Sequence, residues 1–418
     1  MLDIKFIREN IDAIKKNCLN RGVKVSVDEL LEVDEKRRGI QTELDTLRAT
    51  LNANSKQKPT PEVIEQNKYT KEQIKSMEQE FEGIQERYKA LLQQIPNMTH
   101  PDTPIGGEED FVVLETHHAP QTFSFQPKSH DQILLEKDLV DFDRGAKVVG
   151  SKFYYSKGDL VRLNLALIQY GMDIVEKYGY TIMETPDLAK QSVLEGAGFN
   201  PRGDETQIYN IENTDLSLIG TAEITIGGYH MDEILDLSNG PKKYVALSHC
   251  FRTEAGAYGR ESKGLYRVHQ FSKLEMFVFC KPEESEKLHN ELLEIEKAIC
   301  DGLKIPYRVI DIPTGDLGGP AYRKFDIEAY MTMKGDENSS GDYAEITSTS
   351  NCTDYQARRL NIRYINSDGK SEFVHTLNGT AVVLSRFPIA LIENHQREDG
   401  SIAIPKALQP YFGKDTIS

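Results

Sequence analysis

The chain has 418 residues, enough for two or more domains. A net charge of −16 argues against a protein that coats nucleic acid by bulk electrostatics, and leaves a local basic patch open. No run approaches the roughly 18 apolar residues of a membrane span, so no membrane is expected as a partner.

The start, Met-Leu-Asp-Ile-Lys-Phe-Ile-Arg-Glu-Asn, carries acids and lacks an apolar signal core. A cytosolic protein is expected. Cys18, Cys250, Cys280, Cys300 and Cys352 are scattered without zinc-knuckle spacing. They read as reduced core thiols, and no zinc is expected.

Residues 1–25 place Ile4, Ile7, Ile11 and Ile14 at helical spacing and end at Gly22, predicting a short amphipathic helix. In 26–97, Leu30, Val33, Arg37, Ile40, Leu44, Leu47 and Leu51 step by three and four. After Pro59-Thr60-Pro61, Ile74, Met77, Phe81, Ile84, Tyr88, Leu91 and Ile95 do so again. Two heptad-patterned helices turned by proline predict an antiparallel hairpin. Each arm would be roughly 40–50 Å long. The seam alone fits dimerisation, simple spacing or a ligand-binding arm. Lys36-Arg37-Arg38, Arg48, Lys56 and Lys58 are candidate phosphate contacts, against the plainer reading of a solvated face.

Pro96, Pro101 and Pro104 lead into a third region, 110–410. There 158–178 reads as an amphipathic helix and 180–186 as a strand stopped by Pro186. Strand-like runs follow at 243–251, 264–279, 307–312, 324–330, 344–348 and 373–377, with helices at 282–302 and 381–393. Strands without regular helix alternation predict an antiparallel sheet flanked by helices, an α+β domain.

Polar groups gather at the apparent strand ends: Thr221-Ala222-Glu223, Arg252-Thr253-Glu254, Glu275, Glu345-Ile346-Thr347-Ser348 and Asn378-Gly379-Thr380. Carboxylates can receive an ammonium while Arg252 grips a carboxylate bidentately. Spare oxygens suit Mg²⁺, which bridges phosphates. Between Arg252 and Glu275 runs a polar loop with Gly256, Gly259, Arg260, Lys263, Gly264 and Arg267, fit for a nucleotide triphosphate. Neither a P-loop nor a Rossmann glycine pattern is present, so ATP would sit on another scaffold.

These segments, with Gly150-Ser-Lys-Phe-Tyr-Tyr155, Arg267-Val-His-Gln-Phe271, Ser350-Asn-Cys352 and Gln356-Ala-Arg-Arg359, resemble the seryl-tRNA synthetases of class II nearly end to end. The resemblance implies a helical tRNA-binding domain over 1–105 and a catalytic domain over 106–418. The latter would be built on a six- or seven-stranded antiparallel sheet. It implies a homodimer through 180–186, with L-serine, ATP, Mg²⁺ and serine tRNA as partners and selenocysteine tRNA as a further candidate. Thr221, Ala222, Glu223, Arg252, Glu275 and Thr380 match serine-binding positions. Arg252, Thr253, Glu254, Val268, Phe271, Glu345, Ile346, Thr347, Ser348 and Arg386 match ATP-binding ones. Of these, Glu254 would meet the adenine amino group, with Phe271 and Arg386 on its two faces. Glu345 and Ser348 would hold Mg²⁺, and Arg252, Glu275 and Arg386 would carry catalysis.

His269 reads as structural. Ala381 and Ser385 replace glycines common in bacterial members, which predicts a stiffer backbone and crowding of the nucleotide, and leaves an organellar origin open. The Glu261-Ser-Lys263 triplet also departs from the usual pattern. Two rival functions stay in view: a weakly catalytic RNA-binding paralogue, and a ligase that loads a carrier protein.

Overall fold

A computed structural model describes residues 1–56, 60–199, 207–254, 264–334 and 341–418. The chain forms two compact units, Met1–Met98 and Thr99–Ser418.

In the first unit the predicted single short helix is two: α1 (Ile4–Glu9) and α2 (Ile11–Asn20). Asn10 leaves the helical conformation at φ −133°, a break that the continuous isoleucine period conceals. Ile7 and Ile14 are still fully buried. The heptad segments fold as α3 (Val27–Asn54) and α4 (Pro61–Gln94). Ser26 caps the first through the Glu29 amide, and Thr60 caps the second ahead of Pro61. At 1.5 Å per residue they span about 42 and 51 Å. Leu30, Leu44, Tyr88 and Leu91 are buried, while most of the remaining seam is only half-covered. Pro59 and Lys58 lie outside the described residues.

The second unit is built on β1 (Val112–His117), β2 (Thr181–Glu184), β3 (Lys242–Phe251), β4 (Gln270–Cys280), β5 (Tyr307–Asp311), β6 (Arg323–Met331), β7 (Asp342–Asn351) and β8 (His375–Val383). Their order is β1-β5-β6-β7-β8-β4-β3-β2. This is one strand beyond the expected six or seven. All pairs are antiparallel except β2 with β3, which run parallel at one edge.

The helices that matter to the site are α5 (His130–Glu136), α6 (Gly158–Glu176), α7 (Ala222–Tyr229), α8 (Ser285–Gly302), α9 (Tyr355–Leu360) and α10 (Phe387–Asn394). The predicted helix at 381–393 starts later. β-branched Val382 and Val383 extend β8, and the helix begins only at Phe387 with Pro388 in its first turn. The predicted strand at 264–279 likewise begins at Gln270. The apolar core packs α6, α8 and α10 onto the sheet through residues such as Leu167, Ile295, Met276 and Phe387.

Candidate active site

Strand register decides which side chains share one cleft. On β4, Phe271, Lys273 and Glu275 alternate onto one face, opposite Cys250, Ser248 and Ala246 of β3. Arg252 continues that alternation just past the end of β3. On β8, Thr380 stands opposite Glu275 and Asn378 opposite Phe277. The Thr380 hydroxyl donates to Glu275 Oε2 at 3.2 Å, and Lys273 Nζ reaches the same oxygen at 2.6 Å. Both Lys273 and Glu275 are buried, so the acid is held in one pose before any ligand arrives.

A bulge completes the face on β7. Ile327 pairs with Thr347 but Glu328 pairs with Glu345, so Ile346 is an extra residue. Glu345 and Ser348 therefore share the face of Asp326, which lies opposite Ser348. Ile346 enters the core, and Thr347 donates to Glu296 of α8 at 2.9 Å on the opposite side. Of the predicted ATP-binding residues, Ile346, Thr347 and the buried Val268 can reach a ligand in the cleft only through their backbone.

The Thr221 hydroxyl caps α7 by accepting the Glu223 amide at 3.2 Å, and Ala222 is the buried first residue of that helix. The Glu223 carboxylate is aimed by two amides. Gln356 Nε2 donates to its Oε1 at 2.7 Å and Asn378 Nδ2 at 3.1 Å. The Thr376 hydroxyl donates to Gln356 Oε1 at 2.7 Å and fixes which way that amide points. Loss of water contact, then the charge of Glu275, pushes the Glu223 carboxyl up to about 7; Lys273 and Arg252 pull the other way.

Arg252 donates from Nε to the Gly220 carbonyl at 3.3 Å, and its guanidinium lies 5.4 Å from the Phe271 ring centre. His269 Nδ1 donates to the Arg252 carbonyl at 3.0 Å and stacks on Phe153, a bracing role. Thr253 bonds through its amide to the Gln207 carbonyl. Glu254 takes a left-handed backbone, φ 51°, and its carboxylate meets Arg267 at 3.2 Å.

Arg386 sits at the start of α10, 3.0 Å from both the carbonyl and Oε1 of Glu345 and 4.9 Å from the Tyr266 ring centre. Burial opposes the charge on Glu345, but Arg386, Lys324 and Arg252 outweigh it and hold the carboxyl well below its usual range. Asp326 is the opposite case. Burial and the charge of Glu345 push it up against the pull of Lys324, 3.1 Å away, and its Oδ1 is buried without a partner.

Register thus brings Glu275, Glu345, Ser348, Thr380, Phe271 and Arg252 to one face, with Glu223 and Arg386 tied to it by hydrogen bonds. Gly256, Gly259, Arg260 and the Glu261-Ser-Lys263 triplet lie outside the described residues. The sequence suggests no site role for Lys273, Asp326, Gln356 or Tyr266, and places Asn378 only within the polar Asn378-Gly379-Thr380 group. Gln356 and Asn378 stood within quoted motifs, which was their signal. Asp326 shows only as the middle of an alternating Lys-x-Asp-x-Glu run.

Ala381, expected to crowd the nucleotide, is buried in the core. This residue is the extra one of a bulge on β8, between Thr380 and Val382, and its methyl is wholly within the core. Neither Ala381 nor Ser385 has a positive φ, so neither position demands glycine.

Residues 207–395 match the tRNA synthetase class II core domain (G, H, P, S and T), and residues 1–99 match the seryl-tRNA synthetase N-terminal domain. A serine–tRNA ligase of Treponema denticola is 51% identical over 425 residues, covering 100% of each chain. The seryl-tRNA synthetase from Pyrococcus horikoshii, solved in complex with ATP, is similar with a TM-score of 0.89 at 38% identity. That likeness covers 100% of this chain and 99% of the other. The cytoplasmic serine-tRNA ligase of Naegleria fowleri, solved in complex with AMP, follows at 0.85 and 32%, with the same coverage.

Proposed function

The chain belongs to the seryl-tRNA synthetase family, and on that premise we propose how the residues of its cleft divide the work of a serine–tRNA ligase. The activity joins serine to tRNA in two steps. The serine carboxylate attacks the α-phosphorus of ATP, the bond to the bridging oxygen breaks and pyrophosphate leaves. A hydroxyl of the terminal ribose of tRNA then attacks the seryl carbonyl, and AMP leaves.

Glu223, aimed by Gln356 and Asn378, receives the serine ammonium. Glu275, fixed by Lys273 and Thr380, takes the serine hydroxyl. Alanine offers that acid no hydroxyl to bind, so it forfeits a hydrogen bond that serine makes, and the site discriminates by that lost bond as well as by shape. Arg252 spans the serine carboxylate and the α-phosphate, neutralising the charge that builds between them. Phe271 and Arg386 hold the adenine from two sides, and Glu254 accepts from its amino group. Catalysis is positioning and charge neutralisation, with no covalent enzyme intermediate.

Mg²⁺ takes hard oxygens and needs only one or two carboxylates beside phosphate. Glu345 and Ser348 supply such oxygens on one face, and the unpartnered Asp326 Oδ1 marks polar capacity beside them. Among the described residues no three His, Cys, Asp or Glu side chains gather as a metal group, so substrate phosphates would complete the shell. When bound there, Mg²⁺ would neutralise the triphosphate.

The helical unit is assigned to tRNA, with shape and backbone read more than sequence. Lys36 and Lys56 are its exposed candidate contacts. Arg37 and Arg38 are instead paired with buried Asp34, and Arg48 with Glu78. A homodimer through 180–186 accounts for an edge strand, β2, that exposes Ile182, and for the exposed Val161 and Leu165 of α6.

The observation that carries the reading is the convergence of Glu223, Glu275 and Arg252 on one sheet face. Serine-dependent pyrophosphate–ATP exchange tests it. Glu223→Gln should raise KM for serine by ten- to a hundredfold and leave KM for ATP nearly unchanged. Equal effects on both substrates would remove Glu223 from the serine site. Deleting 26–97 should abolish tRNA charging and spare exchange; unchanged charging would refute the arm assignment.

A further inference from the structure

The buried pair His130–Glu393 lies outside every residue assigned above. His130 opens α5 and Glu393 stands near the end of α10; both are almost fully buried. His130 Nε2 accepts the Leu265 amide at 3.2 Å. A backbone N–H can only donate, so the proton of the ring sits on Nδ1, which donates to Glu393 Oε1 at 2.7 Å. The same oxygen takes the His130 amide at 3.1 Å. Glu393 Oε2 accepts from the Met333 amide at 3.3 Å and the Thr332 hydroxyl at 3.5 Å. One carboxylate thus ties α5 to the end of β6 and, through the imidazole, to the 264–267 segment.

What stands on that segment gives the pair its meaning. Gly264 has φ +66°, and a Cβ there would lie 2.1 Å from His130 Nε2, so backbone and ring meet at closest approach. Leu265 is buried. The next residue, Tyr266, donates its hydroxyl to the Glu345 carbonyl at 3.2 Å, the same oxygen that Arg386 grips. The Tyr266 ring also forms the bed on which the Arg386 guanidinium lies.

We propose that His130 and Glu393 are positioning residues for ATP, setting Leu265 so that Tyr266 holds Arg386 and Glu345 in their binding geometry. Neither touches substrate. The proposal rests on the assignment of Arg386 and Glu345 to the nucleotide end of the cleft.

The two amide variants of His130 separate its two bonds. In His130→Gln, the side-chain oxygen reaches the place of Nε2 and can still accept from Leu265. In His130→Asn, the amide reaches only the place of Nδ1 and can still donate to Glu393. With the full-length protein in pyrophosphate exchange, H130N should raise KM for ATP about tenfold and move KM for serine less than twofold. H130Q should stay within about threefold of the parent for both. Gly264→Ala should follow H130N. The latch is overturned if H130N leaves KM for ATP within twofold, or if both His130 variants weaken ATP and serine alike, the mark of a merely structural pair. Arg386→Ala is the control. If it leaves KM for ATP unmoved, the assignment of the nucleotide end fails as well; if it raises KM and H130N does not, only the latch fails.

Discussion

Glu345 and Ser348 are three residues apart on β7 and face the same side of the sheet, because Ile346 between them is the extra residue of a bulge. Strict alternation would send them to opposite faces. The bulge is what allows a carboxylate and a hydroxyl at this spacing to share one ligand.

That geometry separates neighbours. Ser348→Ala should leave stability within about 0.5 kcal/mol and raise the Mg²⁺ concentration for half-maximal exchange several-fold. Thr347→Ala should leave the Mg²⁺ requirement alone and cost about 1–3 kcal/mol, since buried Glu296 loses its donor at 2.9 Å. Mg²⁺ titrations beside urea melts distinguish them, and an inverted pattern would put Thr347 in the cleft.

Glu223 links serine binding to pH. With its folded value raised to about 7, the carboxyl of the free protein is largely protonated at pH 6 and ionised at pH 8. An ammonium needs the ionised form, so KM for serine should fall as pH rises across that window, and binding near pH 7 should release protons. Calorimetry in buffers of different ionisation enthalpy reads that release; buffer-independent heats would sink the idea.

The same shift has a stability sign. A folded value above the unfolded one gives a contribution that is full below about 4.5 and lost as pH rises through about 7. Glu223→Gln removes that loss. The variant should melt above the parent at pH 8, with the gap closing toward pH 5, while binding serine worse. A variant that melts below the parent at pH 8 would contradict the burial cost.

Much of this was legible in the residues, for definable reasons. The helical hairpin announces itself through its heptads, and Arg252, Glu275 and Arg386 through motif spacing. Bulges do not announce themselves: nothing in Glu-Ile-Thr-Ser shows that Ile346 is the extra residue, since that depends on the partner strand. β8 runs further and α10 starts later than the sequence suggests, because Ala381 to Val383 fit either element locally and pairing with β4 decides. Gln356 acts on Glu223 from 133 positions away, a relation that only the fold creates.

In the helical unit, Asp34 is wholly buried between Arg37 at 2.9 Å and Arg38 at 3.1 Å, with Arg37 also 4.5 Å from the Tyr88 ring centre. Asp34→Ala leaves the partly buried Arg37 without its acid and should cost about 1–3 kcal/mol. Lys36→Ala, on an exposed neighbour, should barely change stability and weaken tRNA binding in a salt-dependent way. Thermal melts and binding at two salt concentrations test both. A stable Asp34 variant would mean that the base of the hairpin does not depend on this cluster.

Ala381 offers the sharpest check on the 378–386 segment. Its methyl is in the core and its backbone is not left-handed, so a glycine there, the residue that the family resemblance leads one to expect, relieves nothing. Ala381→Gly should lose buried methyl surface and gain chain entropy in the unfolded state, together about 1 kcal/mol of stability. KM for ATP should stay within twofold. Because Ala381 directly follows the Thr380–Glu275 contact, a looser bulge would show first in KM for serine. A clear fall in KM for ATP without loss of stability would instead mean that the methyl does press on the nucleotide.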